Sequence, residues 1–179
     1  MKRRILAGVF CAAALAACDK VKEIPNPLPG GSGSNKTAGD ATSPTATIDA
    51  YKAAIASQDW QKLYGLLSAE FQKQATAEVE ALKRDLAGGD DATRKSAETK
   101  IRGRGMKPEQ FSQGAPAKLA AEWVGMEIMK GSTRLPRVIK ETKAIKLESG
   151  KATVDYFDPE WKSGTLRFVK ENGMWRFAP

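Results

Sequence analysis

The fold is decided by the last third of the chain, where residues 151–157 read KATVDYF and residues 164–179 read GTLRFVKENGMWRFAP. Apolar and polar residues alternate through both stretches, and a period of two is typical of β-strands with one buried face. Asn172-Gly173 interrupts the second stretch, and this dipeptide favours the left-handed backbone of a tight hairpin turn. Residues 138–147 add another β-rich segment. The sequence therefore predicts four strands joined by short turns into an antiparallel meander.

Upstream of these strands the pattern changes to that of helices, with apolar residues at spacings of three and four. The predicted helix starts, chosen because such residues cap or begin helices, are Ser43-Pro44, Asp59, Ser68 and the position after Pro116. Residues 90–107 are charged, and their weaker pattern predicts a helix through Ile101 that Gly103 and Gly105 break. Helices first and strands last predict an α+β fold, with the N-terminal helices packed on one face of the C-terminal sheet.

Residues 18–44 separate this region from the amino terminus. Pro25, Pro27 and Pro29 stiffen the segment, the GGSGS run at residues 30–34 loosens it, and apolar residues are too sparse to form a core. As a coil the segment would span roughly 25–30 Å. The predicted organisation is a leader over residues 1–17, a linker over residues 18–44, and one α+β domain over residues 45–179.

The first residues have the layout of a secretory signal peptide. Lys2, Arg3 and Arg4 form a positive segment, residues 5–14 form an apolar core, and small residues precede Cys18. The apolar core is too short to span a bilayer. We therefore expect residues 1–17 to be removed on export.

The quartet LAAC at residues 15–18 resembles the lipobox of bacterial lipoproteins. The resemblance implies diacylglycerol on the Cys18 thiol and acylation of the new amino terminus, and several acyl chains hold a protein firmly on a membrane. The alternative is an ordinary secretory signal in which Cys18 is incidental. Asp19 resembles the inner-membrane retention signal of enterobacterial lipoproteins. We expect a lipid-anchored protein on the periplasmic face of the cell membrane, with the inner membrane favoured and the outer membrane as the alternative.

Composition excludes several kinds of chemistry. The chain has no His, and the mature domain would have no thiol once Cys11 is removed and Cys18 is lipidated. A Ser-His-Asp triad, a Cys-His pair and His-ligated zinc are therefore excluded, and no metal site or cofactor is predicted. The formal net charge of +8 includes three charges of the signal peptide. The remaining excess is moderate and, together with the expected compartment, argues against a nucleic-acid partner.

Two blocks of sequence resemble a known superfamily. The segment TIDAYKAAIASQDWQKLYGLLS at residues 47–68 and the closing block KATVDYF…GTLRFVKENGMWRFAP resemble the first helices and last strands of nuclear transport factor 2-like (cystatin-like, SnoaL-like) domains. Uncharacterised domains of this kind occur in many bacterial lipoproteins. The resemblance covers about a third of the chain and implies a strongly curved, cone-shaped sheet wrapped over helices, with room for a pocket between them. The shared motifs serve packing and carry no chemistry.

Enzymes on such folds place an acid or a base inside the cone, and the candidates here are Tyr51, Tyr64, Asp155 and Tyr156. Tyr51 has the spacing of a core residue, and Asp155 alternates away from the apolar face, so a structural role is favoured for both. We therefore predict no catalytic residue. If the cone holds an open pocket, Tyr51, Trp123 and Tyr156 are predicted to line it.

Trp161 is the leading candidate for contact with a partner. It lies in the polar loop at residues 158–164, where a tryptophan either folds back over the sheet or is exposed for binding. Tryptophan and arginine are enriched among the residues that dominate binding energies. Arg137, Lys140 and Arg167 are the basic residues predicted to contribute to partner binding.

Two basic clusters lie in the domain, and a solvated surface is the usual meaning of such clusters. The alternative is a surface for an anionic partner or for lipid headgroups. The first cluster consists of Arg94, Lys95, Lys100, Arg102, Arg104 and Lys107, and the second of Arg134, Arg137, Lys140, Lys143 and Lys146. Regular strand alternation predicts Lys140 and Lys146 on one face and Lys143 on the other.

These features predict a membrane-tethered, non-enzymatic module that binds an envelope protein, a peptide or a small envelope molecule. A specific form of this prediction is an immunity or inhibitor protein against an envelope-attacking enzyme. An accessory subunit of an envelope complex is a separate alternative. A small-molecule enzyme that uses a tyrosine or aspartate in a pocket is the alternative from another class.

Overall fold

A computed structural model of the chain describes residues 41–179, which form six helices followed by four strands. The helices are α1 (Pro44–Ser57), α2 (Trp60–Gly65), α3 (Ala69–Gly88), α4 (Asp91–Gly103), α5 (Pro108–Gln113) and α6 (Pro116–Met129). The strands are β1 (Glu141–Glu148), β2 (Lys151–Phe157), β3 (Ser163–Glu171) and β4 (Met174–Phe177). The predicted α+β class, helices first and strands last, is confirmed. The predictions for the signal peptide, Cys18 and Asp19 lie outside the described residues.

Side-chain caps begin four of the helices. Ser43 and Ser68 accept hydrogen bonds on Oγ, at 3.1 and 3.3 Å, from the N–H group three residues later. Asp59 and Asp90 accept equivalent bonds on a carboxylate oxygen, at 3.0 and 2.7 Å. Each cap satisfies a backbone donor that the first helical turn leaves without a partner. The helix starts predicted at Ser43, Asp59 and Ser68 are therefore confirmed.

The charged segment at residues 90–107 is largely helical. Helix α4 continues to Gly103, and the buried Ile101 anchors it against the neighbouring helices. Gly105 then adopts a positive φ of 82°, which a residue with a side chain rarely tolerates, and the chain turns into α5. The break at the glycines is confirmed, whereas α5 was not predicted because its single turn is too short to show a period.

The four strands pair in the order β1-β2-β3-β4, and every pair is antiparallel. The β3–β4 turn has positive φ at both Asn172 (52°) and Gly173 (82°), as the Asn-Gly dipeptide favours. Gly150 supplies the positive φ of the β1–β2 turn. The predicted meander is therefore confirmed.

The core joins α1 to the end of the sheet. The Tyr51 ring lies 5.0 Å from the Phe177 ring, which lies 4.7 Å from the Phe168 ring, and all three are buried. The Thr47 hydroxyl donates to the Trp175 carbonyl at 2.9 Å across the same junction. Because α1 contacts the sheet at β4, the helical layer covers the β4 side most directly.

The β4 edge of the sheet is closed by other parts of the chain. The Trp175 N–H donates to the Ala41 carbonyl at 2.7 Å, and the Phe177 N–H donates to the Leu66 carbonyl at 2.9 Å. Leu67 forms a parallel bridge with Phe177. Ala41 is buried, so packing begins before the predicted domain start at residue 45.

A β-bulge interrupts the pairing of β1 with β2. Thr142 pairs with Tyr156 and Ile145 pairs with Val154, so two residues of β1 oppose Asp155 alone. The extra residue shifts the alternation by one position. Lys143 contacts the ring of Phe157, on the face where Lys146 lies opposite Thr153. The prediction that Lys143 and Lys146 lie on opposite faces is therefore wrong, because it assumed a regular strand.

Helix α6 packs against α2 and α3 at the centre of the helical layer. Trp123 on α6 is buried and meets the Phe111 ring edge-on at 5.9 Å. Gly125 lies under Trp60, where an added Cβ would come within 2.4 Å of the indole ring. The absence of a side chain at Gly125 therefore allows α2 to approach α6 closely. No helix within residues 41–179 combines the length and the apolar character needed to cross a bilayer.

Candidate functional site

Trp161, Phe157, Lys140 and Lys143 form one cluster at the end of β2, which we call the Trp161 surface. The Trp161 and Phe157 rings meet edge-on, with centroids 5.5 Å apart and an interplanar angle of 70°. Lys140 Nζ lies 3.7 Å from the centroid of Trp161, and Lys143 Nζ lies 3.9 Å from that of Phe157. These are cation–π distances, so the two ammonium groups are held over the two rings.

The loop that carries Trp161 is fixed by its own hydrogen bonds. The Asp158 N–H donates to the Lys162 carbonyl at 3.0 Å, and the Trp161 N–H donates to the Asp158 carbonyl at 3.1 Å. The Asp158 carboxylate also accepts from the Lys162 N–H at 2.8 Å. Trp161 has a positive φ of 63°, which is unusual for a residue with a bulky side chain. The residue as a whole remains 57% exposed, so the loop presents Trp161 to solvent.

Strand β1 extends the exposed apolar surface beyond Trp161. Among residues 41–179 the exposed large hydrophobic residues are Val138 (47%), Ile145 (43%), Leu147 (65%) and Trp161. Ile145 and Leu147 pair with the buried residues Val154 and Ala152 and share their helix-facing side of the sheet. They are exposed because the helical layer does not cover β1. The exposed apolar side chains are therefore concentrated along one edge of the domain.

The remaining basic candidates occupy different positions. Arg137 is exposed in the segment before β1. Arg167 lies on β3 opposite Thr153, in a row that continues to Lys146, and these residues line a cleft of about 360 Å³. Four residues of strand, or about 13 Å, separate Arg167 from the start of β3 beside the Trp161 loop. The structure thus brings Lys140 to Trp161 and places Arg167 in a separate cleft.

The three residues predicted to line a pocket lie in packed surroundings. The Tyr51 hydroxyl donates to the Pro136 carbonyl at 2.7 Å, and burial raises the pKa of this hydroxyl well above its usual value. Trp123 is enclosed by α6 and its neighbours. The Tyr156 ring lies on Gly164, where an added Cβ would come within 2.5 Å, and burial raises the pKa of Tyr156 as well. None of the three lines either of the two cavities described in this section, and their role as pocket residues stays a prediction.

The other polar candidates are engaged in structural hydrogen bonds. The Tyr64 hydroxyl donates to the Gln72 carbonyl at 2.7 Å and lies 2.8 Å from the Thr76 hydroxyl. The Asp155 carboxylate accepts from the Thr165 hydroxyl at 2.8 Å, across the β2–β3 pair. Both side chains therefore stabilise local structure.

A second cavity, of about 560 Å³, lies among the helices and was not predicted. Its apolar lining comes from Trp60, Met106, Phe111, Leu119 and Met126, with Lys107 and Lys118 among its polar residues. One wall belongs to α5, which the sequence pattern did not reveal. The nearest signal was the pair Met106 and Phe111 within an otherwise polar stretch.

Ion pairs neutralise part of the first basic cluster. Arg94 pairs with Asp91, and Arg102 lies 3.7 Å from a carboxylate oxygen of Glu109. Arg104 pairs with Glu127, and its guanidinium carbon lies 4.9 Å from the Trp123 ring centroid. Burial raises the pKa of the Glu127 carboxyl, and this effect outweighs the opposing hydrogen bond and charge of Arg104. This cluster therefore contains structural pairs rather than a uniform cationic surface.

Comparisons with known proteins add no relatives. No family model matches the chain, and the chain has no match among the curated proteins or the solved structures.

Proposed function

We propose that the chain is a membrane-tethered periplasmic lipoprotein whose domain binds an envelope protein or peptide through the Trp161 surface, without catalysing a reaction. The single observation that carries the binding role is the exposed residue Trp161, which a closed loop and Lys140 hold in place beside Phe157 and Lys143. Fixing these side chains before binding lowers the entropy lost on association.

The membrane tether is supported by the sequence alone. The signal-peptide layout, the LAAC quartet ending at Cys18 and the Pro/Gly/Ser-rich linker agree in their order and spacing. A coil of the linker's length lets the domain reach partners within roughly 25–30 Å of its anchor. The tether would therefore raise the local concentration of the domain for partners in the same envelope layer.

A protein or peptide partner fits the chemistry of the Trp161 surface. Aromatic rings supply a large apolar contact area, and tryptophan is frequent among residues that dominate binding energies. The ammonium groups of Lys140 and Lys143 would attract carboxylates on the partner and orient its approach. We expect the partner to be acidic where it meets this surface.

The proposal of a non-enzymatic role is supported by the structural hydrogen bonds that three of the candidate acids or bases form. Tyr51, Tyr64 and Asp155 hold neighbouring elements together through hydrogen bonds, and Tyr51 is buried. A carboxylate or phenol that is committed to such bonds is poorly placed to exchange a proton with a substrate.

We also infer that the domain is a diverged member of the nuclear transport factor 2-like superfamily. The inference is supported by a first helix on the sheet, a closing hairpin at Asn172-Gly173, and a C-terminal antiparallel meander. Helices α3 to α6 form a larger helical layer than the resemblance implies. An experimental structure in which the sheet is flat, with no cone over the helices, would contradict this inference.

The proposed function is tested by affinity capture of the lipidated protein from its own detergent-solubilised envelope, with bound proteins identified by mass spectrometry. We expect a specific partner whose recovery falls about tenfold or more with Trp161→Ala, since removing a dominant tryptophan costs about 2 kcal/mol or more. The pair Lys140→Ala/Lys143→Ala should also weaken capture. Lys52→Ala/Lys73→Ala, which removes two exposed lysines from α1 and α3, is the charge-matched control and should retain the partner.

The identity of the captured partner separates the alternatives. An enzyme that attacks the envelope would identify the chain as an inhibitor or immunity protein, whereas a large membrane assembly would identify it as an accessory subunit. If Trp161→Ala and the lysine pair capture the same proteins as the unmodified chain, the proposed binding surface is wrong.

A further inference from the structure

The two edge strands of the sheet, β1 and β4, differ in their hydrogen bonds to other segments. On the β4 edge, the Trp175 and Phe177 N–H groups donate to the carbonyls of Ala41 and Leu66, and the Phe177 carbonyl accepts from the Ser68 N–H. Strand β1 pairs with β2 and has no backbone hydrogen bond to any other segment within residues 41–179. An edge of this kind presents alternate N–H and C=O groups with which another strand can pair.

The register of the β1–β2 hairpin indicates which backbone N–H and C=O groups of β1 point away from β2. Glu148 pairs with Lys151 around a two-residue turn, and the pair that closes such a turn is hydrogen-bonded. Hydrogen-bonded and non-hydrogen-bonded pairs alternate along an antiparallel ladder. The N–H and C=O groups of Ile145 and Leu147 therefore point away from β2, towards the open side.

The bulge that commonly protects an edge strand covers only part of β1, and the rest of the strand has the exposed charged residues Lys146 and Glu148 on the face away from the helices. Edge strands are commonly guarded by bulges and charged residues, and the bulge lies between Thr142 and Ile145. From Ile145 to Glu148 the pairing with β2 is regular, and in this part Ile145 and Leu147 are exposed on the helix-facing side. This part of the edge is suited to pairing.

Charge and apolar contact occur on opposite faces of the same strand. Ile145 and Leu147 lie on the helix-facing side, whereas Lys143 and Lys146 lie on the other side. A flat lipid surface contacts one face at a time, but an added strand places alternate side chains over both faces. The two-sided arrangement favours a strand over a membrane.

We propose that β1 accepts an extended segment of the partner as a fifth strand, and that this segment alternates apolar and acidic residues. Its apolar side chains would cover Ile145 and Leu147, and its carboxylates would lie near Lys143 and Lys146. Main-chain hydrogen bonds would supply affinity, and the alternating side chains would supply specificity. The proposal rests on the proposed function, because Lys143 belongs to both β1 and the Trp161 surface.

Hydrogen exchange of the full-length protein with a synthetic peptide tests the proposal directly. The probe is a blocked seven-residue peptide of alternating Glu and Val, and the control is its Lys-Val counterpart. At about 1 mM peptide, where even a complex with a Kd of about 1 mM is half formed, we expect slower exchange of the Ile145 and Leu147 amides with the acidic probe only. Unchanged exchange of both amides would overturn the proposal.

A pair of variants separates the backbone contribution from that of the side chain. Leu147→Ala and Leu147→Pro both remove the leucine, but only proline also removes the outward N–H. Edge strands tolerate proline, and circular dichroism with thermal unfolding would verify that both variants fold. We expect Leu147→Pro to weaken capture of the envelope partner about fivefold or more relative to Leu147→Ala, the loss of about one hydrogen bond. Equal capture by the two variants would overturn strand addition.

The outcomes distinguish this proposal from the proposed function. Loss of the partner with Trp161→Ala but equal capture by the two Leu147 variants would leave the Trp161 surface as the binding site and remove the added strand. If the Ile145 and Leu147 amides exchange more slowly at high protein concentration without added peptide, the occupant of the β1 edge is a second copy of the chain. Sedimentation with anionic vesicles, without peptide-induced protection, would identify a lipid surface instead; either result overturns the proposal.

Discussion

Two residues of similar chemical type, Tyr51 and Trp161, have different roles in this domain. Tyr51 and Trp161 are both aromatic residues with a polar group, yet Tyr51 is buried in the core and Trp161 is mostly exposed. The hydroxyl of Tyr51 reaches the Pro136 carbonyl, which ties α1 to the segment that leads into β1. The indole of Trp161 is held by its loop and by Lys140. Burial and hydrogen bonding of these residues, rather than residue type, assign their roles.

Tyr51→Phe should lower the free energy of unfolding by about 1–2 kcal/mol, because it leaves the Pro136 carbonyl without its hydrogen-bond donor. Urea unfolding of the purified domain measures the loss. Tyr156→Phe is the control, since its hydroxyl has no hydrogen bond to any residue within 41–179, and it should change stability by less than about 0.5 kcal/mol. Equal effects of the two substitutions would show that the bond to Pro136 contributes nothing measurable.

Elements in this fold are set partly by local signals and partly by contacts between elements. Caps at Ser43, Asp59 and Ser68 begin helices where the sequence predicts them, because capping needs only neighbours three residues away. The β1 bulge depends on pairing with β2, and helix α5 is too short to show a period, so no local pattern revealed either of them. The bulge changes which lysines share a face, and that change alters the predicted surface.

Gly125→Ala should destabilise the junction of α2 and α6, because a Cβ at this position would come within 2.4 Å of the Trp60 ring. We expect a loss of about 1–3 kcal/mol, typical of overpacking in a close contact. Gly88→Ala, at the end of α3, would place a Cβ with no atom of another segment of residues 41–179 within 4 Å and should be neutral or slightly stabilising. Thermal unfolding of both variants measures the difference, and an unchanged midpoint for Gly125→Ala would contradict the packing described.

The whole molecule combines a net positive charge with a half-buried acid. Glu127 on α6 meets Arg104 at the end of α4, and burial raises the pKa of its carboxyl, with Glu78 acting in the same direction. Above its usual pKa this carboxyl still binds protons in the folded chain but releases them in the unfolded chain. Its favourable contribution to stability is therefore complete at acidic pH and declines as the pH rises through the raised pKa.

Glu127→Gln should remove that dependence while keeping an oxygen that accepts from Arg104. The stability of Glu127→Gln relative to the unmodified chain should rise as the pH increases from about 4 to 8. Chemical unfolding at a series of pH values gives this difference. Glu78→Gln removes one cause of the raised pKa and should reduce the pH effect of Glu127. A stability difference that stays constant across this pH range would contradict the raised pKa of Glu127.

The sequence by itself determined the order of helices and strands, the meander, the hairpin at Asn172-Gly173 and most helix starts, because periodicity and capping act over a few residues. It also supplied the whole case for a leader and for lipid attachment at Cys18. Only the tertiary structure decided that Trp161 is exposed beside Lys140, that Arg167 lies in a separate cleft, and that no other segment of residues 41–179 pairs with the β1 edge. Those properties depend on contacts between residues that are far apart in the sequence, which no local pattern encodes.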